Sequence, residues 1–80
     1  MAKRRVMFVF PSELVREPII YNLGYQFNLV TNIYHANISG DEGWVKLELE
    51  GKGEDIEQGI TWVTSRGVRV TPVMGDVGEE

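Results

Sequence analysis

Cysteine is absent from this 80-residue chain. Its absence excludes, within the chain, a disulfide framework, a thiolate zinc site, a cysteine-ligated iron–sulfur cluster and a thiol nucleophile. Histidine occurs once, as His35. One imidazole with no second ligand or nucleophile beside it is poor ground for catalysis or metal binding, and a polar residue at a surface or interface is the better reading. Long apolar runs are missing too. RVMFVF, residues 5–10, stops at Pro11, so neither a signal peptide nor a membrane span is expected. Basic charge is in short supply: 8 Lys and Arg stand against 12 Asp and Glu, a net charge of −4. A general nucleic-acid binder needs a basic face to neutralise phosphates, and this balance argues against one. No triad, phosphate-loop or dinucleotide motif is present, and no internal repeat, linker or low-complexity segment.

What is present fits one small domain. A chain of this length buries only roughly 60 % of the surface its unfolded form exposes, so its stability margin is thin and a partner subunit would help. Residues 1–75 are expected to form the domain, and residues 76–80 a disordered acidic tail.

The hydrophobic pattern predicts six elements. RVMFVF reads as a first strand with Val6, Phe8 and Phe10 on one face and Met7 and Val9 on the other. A helix follows, with Pro18 at its first position, Glu17 near its positive end, and Ile20, Leu23 and Phe27 as its apolar stripe. Ser12 is an alternative cap for an earlier first turn. Gly24 inside this helix suggests close packing against the sheet. Residues 29–39 make a second strand, and GDEG at 40–43 a hairpin turn. In WVKLELE, residues 44–50, Val45, Leu47 and Leu49 point in while Lys46, Glu48 and Glu50 point out. Glu54 and Asp55 open a second helix with Ile56, Ile60 and Val63 buried, and Gly67 ends it as a left-handed cap. VRVTPV closes the series as a strand with Val68 and Val70 inward and Pro72 near its end, suited to an edge. The order β-α-β-β-α-β gives an α+β, ferredoxin-like sandwich: a four-stranded antiparallel sheet with two helices on one face. Right-handed crossovers put the first and third strands in the centre and the second and fourth at the edges.

Several uses of this fold can be set aside on residues. A copper chaperone needs a CxxC loop after the first strand, where this chain has PSELVR. An acylphosphatase needs a glycine-rich cradle with an arginine; Arg16 is near, but no glycine is. An RNA-recognition surface needs exposed aromatics over a basic sheet; Trp44 could stack, but the third strand otherwise shows Lys46 and Glu48. Glu48 and Glu50 read as a solvated face, not an acid/base pair.

Asn32 stands out. Asparagine competes for backbone hydrogen bonds and is avoided in strands. Strict alternation groups Asn32 with Val30, Tyr34, Ala36 and Ile38, and puts Leu29, Ile33 and His35 on the other face. Both faces of this edge strand then look partly buried, which suggests something covers it. The Asn32 amide can donate and accept at once. It suits a zwitterionic amino acid, a cross-strand bond at a dimer seam, or the backbone of a neighbouring loop.

TNIYHANI, residues 31–38, resembles the signature of the NIL domain, a family named for an Asn-Ile-Leu tripeptide in the second strand; here the tripeptide is Asn32-Ile33-Tyr34. EPIIYNLGYQFN resembles the family's first helix, GWVKLELEG its third strand, and EDIEQGITWVTSRGVRV its second helix, cap and last strand. The resemblance spans about residues 4–73. It implies an ACT-like regulatory domain of the kind found at the C-terminus of methionine-importer ATPases, in ferredoxin fusions and as stand-alone proteins. It implies no catalytic residue, no metal and no cofactor. It implies instead a homodimer through the second strand, binding a small amino acid such as methionine, in the cytoplasm. A transporter or ferredoxin is the partner implied, with no nucleic acid and no direct membrane insertion. By resemblance the tripeptide asparagine, Asn32, belongs to the ligand site. Ile33, Tyr34 and His35 would line it, with Phe10, Pro11 and Ser12 of the loop after the first strand closing it. Tyr34 in place of leucine alters the lining. The rival expectation is an assembly module that pairs through the same strand and binds nothing.

Overall fold

The structure is a computed structural model and describes residues 1–73. The expected tail at 76–80 lies outside them. The elements run β1 (Ala2–Phe10), α1 (Ile19–Phe27), β2 (Val30–Ser39), β3 (Glu42–Gly51), α2 (Gly53–Ser65) and β4 (Arg69–Pro72), with one 3-10 turn at Ser12–Leu14. The sheet order is β2-β3-β1-β4 and every pairing is antiparallel. The predicted ferredoxin-like α+β sandwich is the fold observed, with β2 and β4 at the edges.

Alternation decides which residues enter the core. Val6, Phe8 and Phe10 of β1 and Val45, Leu47 and Leu49 of β3 are buried under the helices, and Val6 pairs with Leu47 and Phe8 with Val45. Ile19 and Leu23 of α1, Ile56 and Val63 of α2, and the flanking Leu29 and Val68 complete the buried set. Phe8 and Phe10 meet edge to face, ring centroids 6.1 Å apart. Each buried aliphatic or aromatic side chain contributes roughly 1.5–3 kcal/mol of transfer free energy.

The helix ends follow from backbone chemistry. Gly67 takes φ 103°, the Gly67 amide donates to the Thr64 carbonyl, and the Val68 amide donates to the Val63 carbonyl. This is the Schellman pattern, sealed by burial of both Val63 and Val68. Helix α1 stops at Asn28, a left-handed residue at φ 57° and ψ 47°, and the Leu29 amide returns to the Gly24 carbonyl. Gly24 does allow close approach: a Cβ there would lie 3.0 Å from the Leu29 carbonyl oxygen and 3.6 Å from Thr31 Cγ2.

Three expectations are corrected. Pro18 is the cap before α1, not its first residue, and Ile19, not Ile20, shares the deep stripe with Leu23. Ser12 opens a separate 3-10 turn and makes no side-chain cap bond. The largest correction concerns β2. A bulge falls between Ile33, which pairs with Leu47, and His35, which pairs with Lys46. Tyr34 is the extra residue, and beyond it the alternation is reversed. Ala36 and Ile38 therefore share the helix-side face with Ile33, opposite Val45 and Gly43, while His35 and Asn37 join Asn32 on the open face, opposite Lys46 and Trp44. Nor are the faces of β2 partly buried within one copy: all of its residues but Thr31 are exposed.

Candidate functional site

The seven residues proposed from sequence fall in three places. Phe10 and Ile33 line a groove of about 270 Å³ between the start of α1 and the edge strand β2. Val15, Pro18, Ile20 and Ile38 share its wall, and Phe10 and Val45 supply a buried floor. The bulge builds this wall. Without the reversal at Tyr34, Ile38 would point away from the groove that Ile33 enters. Gly43 matters as well, since a Cβ there would stand 3.0 Å from Ile38 Cγ1.

Pro11 and Ser12 do not line this groove; they stand where the 3-10 turn carries the chain from β1 toward α1. Ser12, Glu13, Arg16 and the hairpin glycine Gly40 line a polar hollow there, and Val15 borders both hollow and groove. Arg16 was weighed in the sequence only against a phosphate cradle. Its place at the polar end of an apolar groove is set by the turn at Ser12–Leu14, which the sequence reading did not resolve.

Asn32, Tyr34 and His35 project from the opposite face of the sheet. Asn32 stands opposite Glu48, exposed, and its amide makes no hydrogen bond among the described residues. The Tyr34 ring lies under the Arg5 guanidinium, whose carbon is 5.3 Å from the ring centroid, and Arg5 Nε is 3.5 Å from Glu48 Oε2. His35 meets Trp44 edge-on at 5.7 Å, and Lys46 Nζ lies 5.8 Å from the Trp44 centroid. Within one copy the structure thus does not bring Asn32 to the groove that Phe10 and Ile33 line.

A signal that the sequence reading passed over explains the character of this side of the molecule. None of the 8 basic and 12 acidic residues lies between Pro18 and Gly40. That interval is α1 and β2, and it carries Tyr21, Tyr25, Val30, Ile33, Tyr34 and Ile38, each at least 41 % exposed. No group of three or more His, Cys, Asp or Glu among the described residues is placed to hold a metal ion, and none of their helices is long and apolar enough to cross a membrane.

The family model of the NIL domain matches residues 4–72. Among solved structures, the chain is similar to one described as the C-terminal domain of an ABC transporter / ATP-binding protein from Enterococcus faecalis. The two are 21 % identical and superpose with a TM-score of 0.80, covering 91 % of this chain and 86 % of that one. At that identity the likeness is one of fold. No curated protein sequence matches the chain.

Proposed function

The chain belongs to the NIL domain family, and from that premise we propose that it is a non-catalytic regulatory domain that binds a small amino acid, methionine foremost, at a homodimer seam along β2. The observation that carries this reading is the groove beside an uncharged edge strand. Its wall is mainly apolar, with Ile33, Ile38 and Phe10 and one acidic residue, Glu17, and its volume of about 270 Å³ suits one small ligand. Its end is polar, with the Ser12 hydroxyl and the Arg16 guanidinium in the adjoining hollow. An amino acid with an apolar side chain has the same division. Its side chain lies along Phe10 and Ile33, and its charged end reaches past Pro11 to Ser12 and Arg16. Asn32, Tyr34 and His35 act from the other face. There the open Asn32 amide serves the seam, bonding the mate or a polar group held between the two copies.

The mechanism is linkage. A ligand that binds one arrangement of two copies better than another shifts the balance by its differential affinity. Regulation is then passed to whatever the domain is attached to or assembles with, in the cytoplasm. A transporter ATPase or a ferredoxin module is the partner this reading favours.

Amide chemical shifts recorded against each common amino acid, methionine first, test the reading. Saturable shifts at Phe10, Ser12, Ile33 and Ile38, weakened by Arg16→Ala and by Ile33→Ala, are the expected result. An absence of shifts at millimolar ligand, with the dimer intact, turns the assignment to the assembly module, which the charge-free side between Pro18 and Gly40 also supports.

A further inference from the structure

The two halves of the chain, β1-α1-β2 and β3-α2-β4, are built alike, and each ends in an edge strand. The groove described above lies between α1 and β2. Its counterpart lies between α2 and β4 and also measures about 270 Å³. Arg4, Val6, Ile60, Thr64, Val70 and Pro72 line it. Val6 is its buried floor, and Ile60 and Val70 are partly buried walls. Register explains this lining. Pro72 pairs with Val6 and Val70 with Phe8, so alternation turns both toward α2. Arg4 shares the parity of Val6 and Phe8 and carries a charge onto the apolar side of the sheet. Glu57 of α2 meets it there, Oε2 to Nη2, at 2.7 Å. Glu57, Ile60 and Thr64 follow one face of α2, being spaced at helical intervals. The ion pair therefore stands at one end of the groove and Thr64 at the other.

We propose that this second groove is a separate binding site for a free amino acid with an aliphatic side chain. The ion pair selects the ligand. A lone carboxylate brought to Arg4 meets the like charge of Glu57, and a lone ammonium meets the like charge of Arg4. A zwitterion meets neither penalty. Its carboxylate takes the Arg4 guanidinium, whose fork has donors to spare, and its ammonium takes the Glu57 carboxylate. Opening the pair costs the fold little, because its side chains are 42 % and 66 % exposed. The aliphatic chain then lies along Val6, Ile60 and Val70. At the far end the Thr64 hydroxyl donates to the Ile60 carbonyl at 2.8 Å, so it asks no hydrogen bond of the ligand.

Size agrees with charge. The groove is at the small end of ligand sites, which favours a molecule of amino-acid size over a cofactor or a peptide. The inference stands apart from the reading of the first groove, since the two share no lining residue. It needs no second copy either, because every residue it uses belongs to one chain.

Amide and methyl chemical shifts of the full 80-residue chain, titrated with three matched probes, test the inference. The probes are L-norleucine, hexanoate (norleucine without its ammonium) and pentylammonium (norleucine without its carboxylate). Arg4→Gln and Glu57→Gln are the variants. Both side chains are exposed, so the fold survives, and resonances away from the groove confirm it. Saturable norleucine shifts at Val6, Ile60, Thr64 and Val70 are expected. Each variant should weaken them at least about fivefold, and each partial probe should bind at least about tenfold more weakly. Equal binding of hexanoate or pentylammonium overturns the inference, because the ion pair then selects nothing. Norleucine binding that neither variant weakens overturns it too. Shifts confined to Phe10, Ile33 and Ile38 overturn the second site and leave the first standing. An absence of shifts at both grooves at millimolar norleucine sinks the two together.

Discussion

The Arg5 guanidinium of β1 reaches across β3 to lie over the ring of Tyr34, 5.3 Å from its centroid. Tyr34 is the bulged residue of β2. The contact therefore ties the irregular point of an edge strand to a central strand, with Glu48 held 3.5 Å from Arg5 Nε between them. Cation–π contacts that are partly desolvated are worth about 1–2 kcal/mol. Tyr34→Leu should lower stability in urea unfolding by about that amount, and Arg5→Ala by a little more because the ion pair goes too. In Tyr34→Leu, hydrogen exchange should quicken first at Ile33 to Ala36, since release of the pin loosens the bulge before the core.

Two glycines of α2 should respond to alanine with opposite sign. A Cβ on Gly53 meets nothing within 4 Å, while a Cβ on Gly59 would stand 2.7 Å from Leu23 Cδ1 and 3.1 Å from Leu29 Cδ1. Gly53→Ala should raise stability by about 0.5–1 kcal/mol through lower unfolded-chain entropy. Gly59→Ala gains helix propensity but overpacks two buried leucines, a cost of about 1–3 kcal/mol, and thermal melting should show a net loss.

Asn28 closes α1 in the left-handed region at φ 57°. Asn28→Gly should be tolerated, within about 0.5 kcal/mol of the parent, while Asn28→Val should cost about 1–2 kcal/mol because a β-branched side chain is strained there. Chemical denaturation of the two variants, compared at equal m-value, checks this.

A neutral seam makes its own prediction about salt. Exposed charges are screened over about 8–10 Å at physiological ionic strength, but between Pro18 and Gly40 there are none to screen. The dimer dissociation constant should change by less than about threefold between 0.05 and 1 M sodium chloride, far less than for a contact built on ion pairs. A steep rise with salt, measured by sedimentation, would mean that the charged surfaces of β3 or α2 form the contact.

The fold was legible because its signals are local and mutually consistent. The alternation in β3, the glycine stop at Gly67 and the hairpin glycine Gly40, with φ 61°, each act within a few residues. The candidate site was less legible. One inserted residue at Tyr34 defeats a rule of period two, and nothing in TNIYHANI marks which residue is the insertion; its pin, Arg5, lies in another strand. Asn28 carries no cap signal in the sequence reading, because asparagine is only an occasional left-handed cap. The charge-free interval was open to view from the start, but its meaning depends on α1 and β2 lying side by side, a tertiary fact.

The bulge also gives β2 two independent reading frames. Residues before Tyr34 and residues after it obey opposite parities. Deleting that single position would leave Ile33 opposite Leu47 and His35 opposite Lys46, so Ala36 and Ile38 would still face the groove; pairing Tyr34 in regular register, with no bulge, would instead turn His35 and Asn37 toward it. A change of register alone, with the same side chains and the same length, is thus enough to turn an oily cleft into a polar one.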